Sequence, residues 1–181
     1  MRHKYATDAI VLSRTPVGEA AILVTLLTSE LGLIRARAEG LRRPGAKLAH
    51  ALQTLNESEV TLVRGKEGWR LSGALLERAW FRDLTRPARS RAGRVAGLLL
   101  RLVHGEVSDP ALHAFLRDFI AALPGQGEEE QDASECIAAL RLLFLLGLDA
   151  GPIPEVQGPL PPSLRREIIA RINQGLVASG L

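Results

Sequence analysis

Catalysis needs reactive side chains at workable spacing, and this sequence gathers few. Its four histidines, His3, His50, His104 and His113, are scattered, with no H-x-x-x-H spacing and no cysteine partner for a metal. Cys136 falls inside a strongly apolar stretch, where a thiolate is poorly stabilised, so core packing is the expected role. As the one cysteine, it leaves no internal disulfide and no Cys-based zinc site. The segment from Gly40 to Leu48 looks faintly like a phosphate-binding P-loop but fails twice. Ala46 separates the glycine from Lys47, and Leu48 stands where a Ser or Thr must reach the metal. Asn56-Glu57-Ser58 matches a glycosylation sequon, which matters only in a secreted chain. The expectation is no catalytic residue, no metal and no cofactor.

Basic residues give the stronger signal. Arg35 and Arg37 alternate with apolar residues and share one face of a strand. Arg42, Arg43 and Lys47 follow on a loop and short helix, with Pro44-Gly45 shaping the loop. Arg14 closes an earlier strand, and Lys66 and Arg70 flank a hairpin. Such groups neutralise successive phosphates without reading base sequence. The competing explanation is that exposed strands and loops need charge to stay soluble. Few aromatics accompany them: Tyr5, Trp69, Trp80 and Phe81, with Trp69 alternating inward alongside Leu71 and Leu75. Single-strand binding would therefore be mostly electrostatic and easily lost in salt.

The elements that must hold these residues fall into two halves. Residues 1–89 carry 15 Lys/Arg against 9 Asp/Glu, and residues 90–181 carry 8 against 11. The basic excess thus belongs to the first half, which favours a polyanion-binding module joined to one with another role. In that half, strands are expected at 6–14, 19–28, around 34–39, at 57–64 and at 69–77, with a short helix at 46–52. Thr15-Pro16-Val17-Gly18 and Ser29-Glu30-Leu31-Gly32 read as turns, and Gly65-Lys66-Glu67-Gly68 as a hairpin loop. Five strands with a helix between the third and fourth is the order of an OB-fold.

After Asp83 the apolar period becomes helical. One stripe runs through Val95, Leu98, Leu99, Leu102 and Val103. Asp109-Pro110 opens a second helix, Asp132 with Glu135 resembles a capping box for a third, and Ser163 caps a last one to about Ala178. Residues 124–130 read as a mobile acidic loop, and five prolines punctuate 151–162. The fold class is α+β: a five-stranded OB barrel over 1–82, then an all-helical domain over 83–181. No apolar run reaches the roughly 18 residues of a membrane span, and none follows the basic start Met1–Tyr5 as in a signal peptide. A reducing cytoplasm is the expected location.

Thr7–Leu12, Gly18-Glu19, Leu26-Leu27-Thr28, Gly32-Leu33-Ile34, Ala38–Pro44, Lys47-Leu48 and Leu52-Gln53 come in an order that resembles the N-terminal domain of the RecO family. The likeness covers residues 5–80; beyond them it rests on the leucine-rich stretch Glu135 to Gly147 followed by Pro152. The resemblance implies an OB barrel with a helical domain, nucleoid association and non-sequence-specific binding of single- and double-stranded DNA. It also implies strand annealing, and work with RecR to load RecA onto strands coated by single-stranded-DNA-binding protein. On this match phosphate binding falls to Arg35, Arg37, Arg42, Arg43 and Lys47, with Arg14, Lys66 and Arg70 added from charge. Three departures stand out. Many RecO proteins carry a four-cysteine zinc motif where Asp149 to Pro162 has no cysteine, Gly45-Ala46 replaces a common serine, and the helical part is short. The alternative function is a protein–protein adaptor with incidental nucleic-acid contact. An RNA-binding barrel and an enzyme rank below it.

Overall fold

The computed structural model describes residues 3–19, 21–39 and 47–180. Five strands, β1 (Lys4–Val17), β2 (Ala21–Thr28), β3 (Gly32–Glu39), β4 (Glu57–Gly65) and β5 (Gly68–Arg78), close into a barrel in the order β1-β2-β3-β5-β4. With helix α1 (Lys47–Ala51) between β3 and β4, this is an OB-fold. Four helices follow α2 (Trp80–Asp83): α3 (Arg86–Leu102), α4 (Pro110–Ala122), α5 (Glu128–Leu145) and α6 (Pro162–Ala178). Contacts divide the chain into two units, one of residues 1–83 with 103–117, the other of 84–102 with 118–181.

Alternation builds the barrel. Ile34, Ala36 and Ala38 of β3 point inward with Val24 and Leu26 of β2, Val60 and Leu62 of β4, and Trp69 and Leu71 of β5. Arg35, Arg37 and Glu39 point out. The closing contact is a short parallel pairing, Ala36↔Trp69, Arg37↔Arg70 and Ala38↔Leu71. A two-residue hairpin joins β4 to β5 between the paired Gly65 and Gly68, the latter at φ +107°. On the outside, Gly32 meets the segment 103–117: a Cβ there would lie 2.3 Å from the carbonyl oxygen of Val107.

Several local expectations needed correction. β1 runs on through Thr15-Pro16-Val17, and the turn comes at Gly18, φ +65°. Proline is tolerated because β1 pairs with β4 only through Ile10; beyond that it pairs with β2 alone. Leu75 is exposed, although it shares odd spacing with Trp69 and Leu71. The register shifts between Leu62↔Leu71 and Thr61↔Gly73, so the bulge at Ser72 reverses the alternation and turns Ala74 inward instead.

In the helical unit, α5 starts four residues before Asp132, inside the expected acidic loop. The Glu130 carboxylate accepts the Gly127 N–H at 3.0 Å, and three glutamates in the first turn suit the positive helix end. Asp132 and Glu135 are not a capping box. Asp132 takes Arg91 at 3.4 Å and Arg165 at 3.1 Å, while Glu135 takes Arg91 at 3.0 Å and Arg94 as well. Likewise α6 is preceded by Pro161 with Pro162 in its first turn, so Ser163 lies inside the helix. Asp109 does cap α4, accepting the Ala111 N–H at 3.0 Å.

The proline-rich segment after α5 is held by one ion pair. Arg171 donates to Asp149 through Nε at 3.1 Å and NH2 at 2.5 Å, and to the Pro152 carbonyl at 2.9 Å. Asp149 also accepts the Gly151 N–H at 3.1 Å. The residues here do not fit zinc: Asp149 is committed to a guanidinium, and no thiol stands beside it.

Two outcomes follow. Gly32→Ala combines a left-handed backbone (φ +76°) with a clash against fixed backbone and should cost on the order of 3 kcal/mol in chemical denaturation. The carboxyls of Asp132 and Asp149 are held low by hydrogen bonds from Arg165 and Arg171 respectively. Depressed in the folded state, they contribute stability that is complete above the ordinary aspartate range and lost as pH falls from that range down through the depressed folded values. Asp132→Asn/Asp149→Asn should therefore flatten the acid limb of a stability–pH curve while lowering the melting temperature at neutral pH.

Candidate nucleic-acid interface

Register lays residues in rows across the outside of the barrel. One row runs Ser13, Thr25, Arg35, with the Ser13 hydroxyl donating to Thr25 at 2.9 Å. The next runs Thr15, Leu23, Arg37, Arg70 across β1, β2, β3 and β5. A third is Val17, Ala21, Glu39. Arg35, Arg37 and Arg70 are exposed and share this face, where the carboxylate of Glu39 lies between the last two. Glu39 Oε1 lies 3.7 Å from Arg37 Nε and 3.5 Å from Arg70 NH2.

The other sequence-selected residues are placed differently. Lys66 is exposed at the β4–β5 hairpin, adjoining the start of β5. Arg14 does not join the row. It pairs with Val24, whose side chain is in the core, so it points to the interior side of the sheet. There its guanidinium donates to Gln53 at 3.3 Å and its Nε is buried. Arg42 and Arg43 lie outside the described residues; Lys47 begins α1, and its side chain lies outside them too.

One group was missed. Arg64 and Trp69 are the register pair next to the Gly65↔Gly68 pair that closes the hairpin, so both project to the inner side at the barrel mouth. The guanidinium of Arg64 lies 4.8 Å over the Trp69 ring, and Tyr5 meets that ring edge-on at 5.3 Å between centroids. Glu106 pairs with Arg64. Tyr5 keeps 39% of its surface exposed, beside the same hairpin as Lys66. Hairpin spacing alone aligns Arg64 with Trp69 on one side, a signal that charge by itself does not carry.

In the helical unit a hollow of about 340 Å³ is lined by Arg94, Asp132, Glu135, Cys136, Ile169 and Ile172. Its charges are the ion pairs described above, and burial pushes the Cys136 thiol up, away from thiolate chemistry. Among the described residues no three His, Cys, Asp or Glu gather to hold a metal, and no helix is long and apolar enough to cross a membrane.

A closed five-stranded barrel with a basic outer face over β3 and β5 defines the class of oligonucleotide-binding folds. Residues 1–77 match the family described as recombination protein O N terminal. Over these residues, fewer than half of the chain, the barrel is similar to the N-terminal domain of the RecO family. Three proteins named DNA repair protein RecO illustrate the likeness. That of Dehalococcoides mccartyi (strain CBDB1) is 44% identical over 64 residues, 35% of this chain and 25% of the relative. That of Synechococcus elongatus is 52% identical over 48 residues, 26% of this chain and 18% of the relative. That of Thermodesulfovibrio yellowstonii is 38% identical over 63 residues, 35% of this chain and 25% of the relative. The chain thus matches a quarter or less of the length of these relatives.

The arginines on the outer face should be dispensable for folding. Their ion pairs are more than half exposed, and such pairs contribute little. Arg37→Ala and Arg70→Ala should each leave unfolding free energy within about 0.5 kcal/mol of the parent by urea titration.

Proposed function

We propose that this chain is a DNA-binding recombination mediator of DNA repair, holding single- and double-stranded DNA through phosphate contacts and annealing complementary strands. The observation that carries this reading is the alignment of Arg37 and Arg70 across adjacent strands of a RecO N-terminal barrel, with Arg35 one row away. The described residues of this face offer positive charge for phosphates, so binding is electrostatic and indifferent to sequence. By sequence alone, Arg42, Arg43 and Lys47 add positive charge to this proposal in the stretch between β3 and β4, and Lys66 adds it at the hairpin. Arg14 is the weakest member, since its guanidinium is engaged with Gln53.

The role is one of holding strands, with no covalent step: screening phosphate repulsion lets two complementary strands approach. RecR, single-stranded-DNA-binding protein and, through them, RecA are the partners the family relationship brings to this reading. An nucleoid-associated, cytoplasmic setting goes with it.

Fluorescence anisotropy on labelled single-stranded DNA across a salt series tests the proposal. With four or five phosphates neutralised, log K should fall against log salt with a slope of about −3. Arg35→Ala/Arg37→Ala/Arg42→Ala/Arg43→Ala should flatten that slope by about two units. No binding at low salt, or equal slopes for both proteins, would reject this surface and favour an adaptor role.

A further inference from the structure

Two like charges directly opposite one another on neighbouring strands repel, and a sheet normally avoids the arrangement. Arg37 and Arg70 are such a pair, both exposed, joined by the short β3–β5 pairing. The carboxylate of Glu39, two residues along β3 on the same face, answers both: a single oxygen, Oε1, is shared between Arg37 Nε at 3.7 Å and Arg70 NH2 at 3.5 Å. Both separations exceed the ~2.8 Å of a charge-assisted hydrogen bond. Glu39 therefore neutralises the pair without filling its donor capacity.

The geometry points to a phosphate-sized anion site between Arg37 and Arg70, with Glu39 as its displaceable internal occupant. A phosphodiester oxygen coming between the two guanidiniums can make the short contacts that Glu39 does not, and it must push the carboxylate aside to do so. The inference rests on the DNA-binding reading above and adds a resident competitor to it. Exposed ion pairs at these distances are worth little, so one strand phosphate among several displaces Glu39 readily. An isolated phosphate, without neighbouring contacts to help it, competes poorly. The site thereby favours a continuous polyphosphodiester strand over free phosphate or a mononucleotide.

Glu39→Gln is the test, because it keeps size and polarity while removing the charge. The full chain and the variant are titrated with a labelled oligothymidylate over a salt series, with Arg37→Ala/Arg70→Ala and the triple variant alongside. Inorganic phosphate serves as competitor, and melting temperature as the folding control. Glu39→Gln should bind the strand three- to tenfold more tightly at low salt, with a slope steeper by up to one unit. Inorganic phosphate should compete at lower concentration against the variant than against the parent. In the Arg37→Ala/Arg70→Ala background, the same substitution should gain much less. If the parent binds DNA and Glu39→Gln neither tightens binding nor steepens the slope, the competitor role is wrong while the DNA-binding reading stands. An equal gain with and without the two arginines would reduce Glu39 to a general charge effect and overturn the site. If no variant binds at any salt, the DNA-binding reading falls and the site falls with it.

Discussion

The parallel pairing of β3 with β5 is the contact on which the functional surface depends. Its register has three consequences. It closes the barrel, drops Trp69 and Leu71 onto Ala36 and Ala38 in the core, and sets Arg70 beside Arg37 outside. Alternation alone places Arg35 and Arg37 on one side of β3, but a strand in isolation would present them as an ordinary solvated face. Only closure brings in the third cation from a residue 33 positions away in sequence. The same strand, through Trp69, organises Tyr5 and Arg64 at the barrel mouth. One short stretch of β5 thus serves the core, the basic row and the aromatic group.

The two units use arginine differently, which gives the charge asymmetry of the chain a physical meaning. In the helical unit Arg91, Arg94, Arg165 and Arg171 are tied to Asp132, Glu135 and Asp149, and they fasten helices and the proline-rich segment to one another. Arg91 and Arg171 are largely removed from water in doing so. On the barrel, Arg35, Arg37 and Arg70 stay exposed, and Glu39 pairs with the last two. Removing one partner of a mostly buried pair leaves an uncompensated charge, whereas removing an exposed arginine costs almost nothing. The barrel arginines are therefore free to serve a ligand in a way the helical ones are not.

Much of this was legible before the structure. Strict alternation in β3, the glycines around Lys66-Glu67 and the change of period after Asp83 are local signals, and they led to a five-stranded barrel followed by helices. What failed was non-local or depended on one extra residue. Leu75 faces outward because a bulge at Ser72 shifts the count, and nothing in the local pattern announces a bulge. Pro16 reads as a turn, yet β1 is paired on one side only at that point. Asp132 with Glu135 has the spacing of a capping box, but three arginines from α3 and α6 claim those carboxylates. Arg14 was grouped with the other cations by charge alone; its pairing with Val24 turns it to the other side of the sheet.

The central claim is that a nucleic-acid strand lies along the outer face of β3 and β5. Backbone amide shift mapping by NMR during titration with an unlabelled oligothymidylate tests it directly. The account predicts the largest changes at Arg35, Arg37, Glu39 and Arg70, with smaller ones at Lys66, and little change at Asp8, Glu59 and Leu75, which form a register row across β1, β4 and β5. Changes centred on those last three residues, or none in the barrel at all, would contradict it.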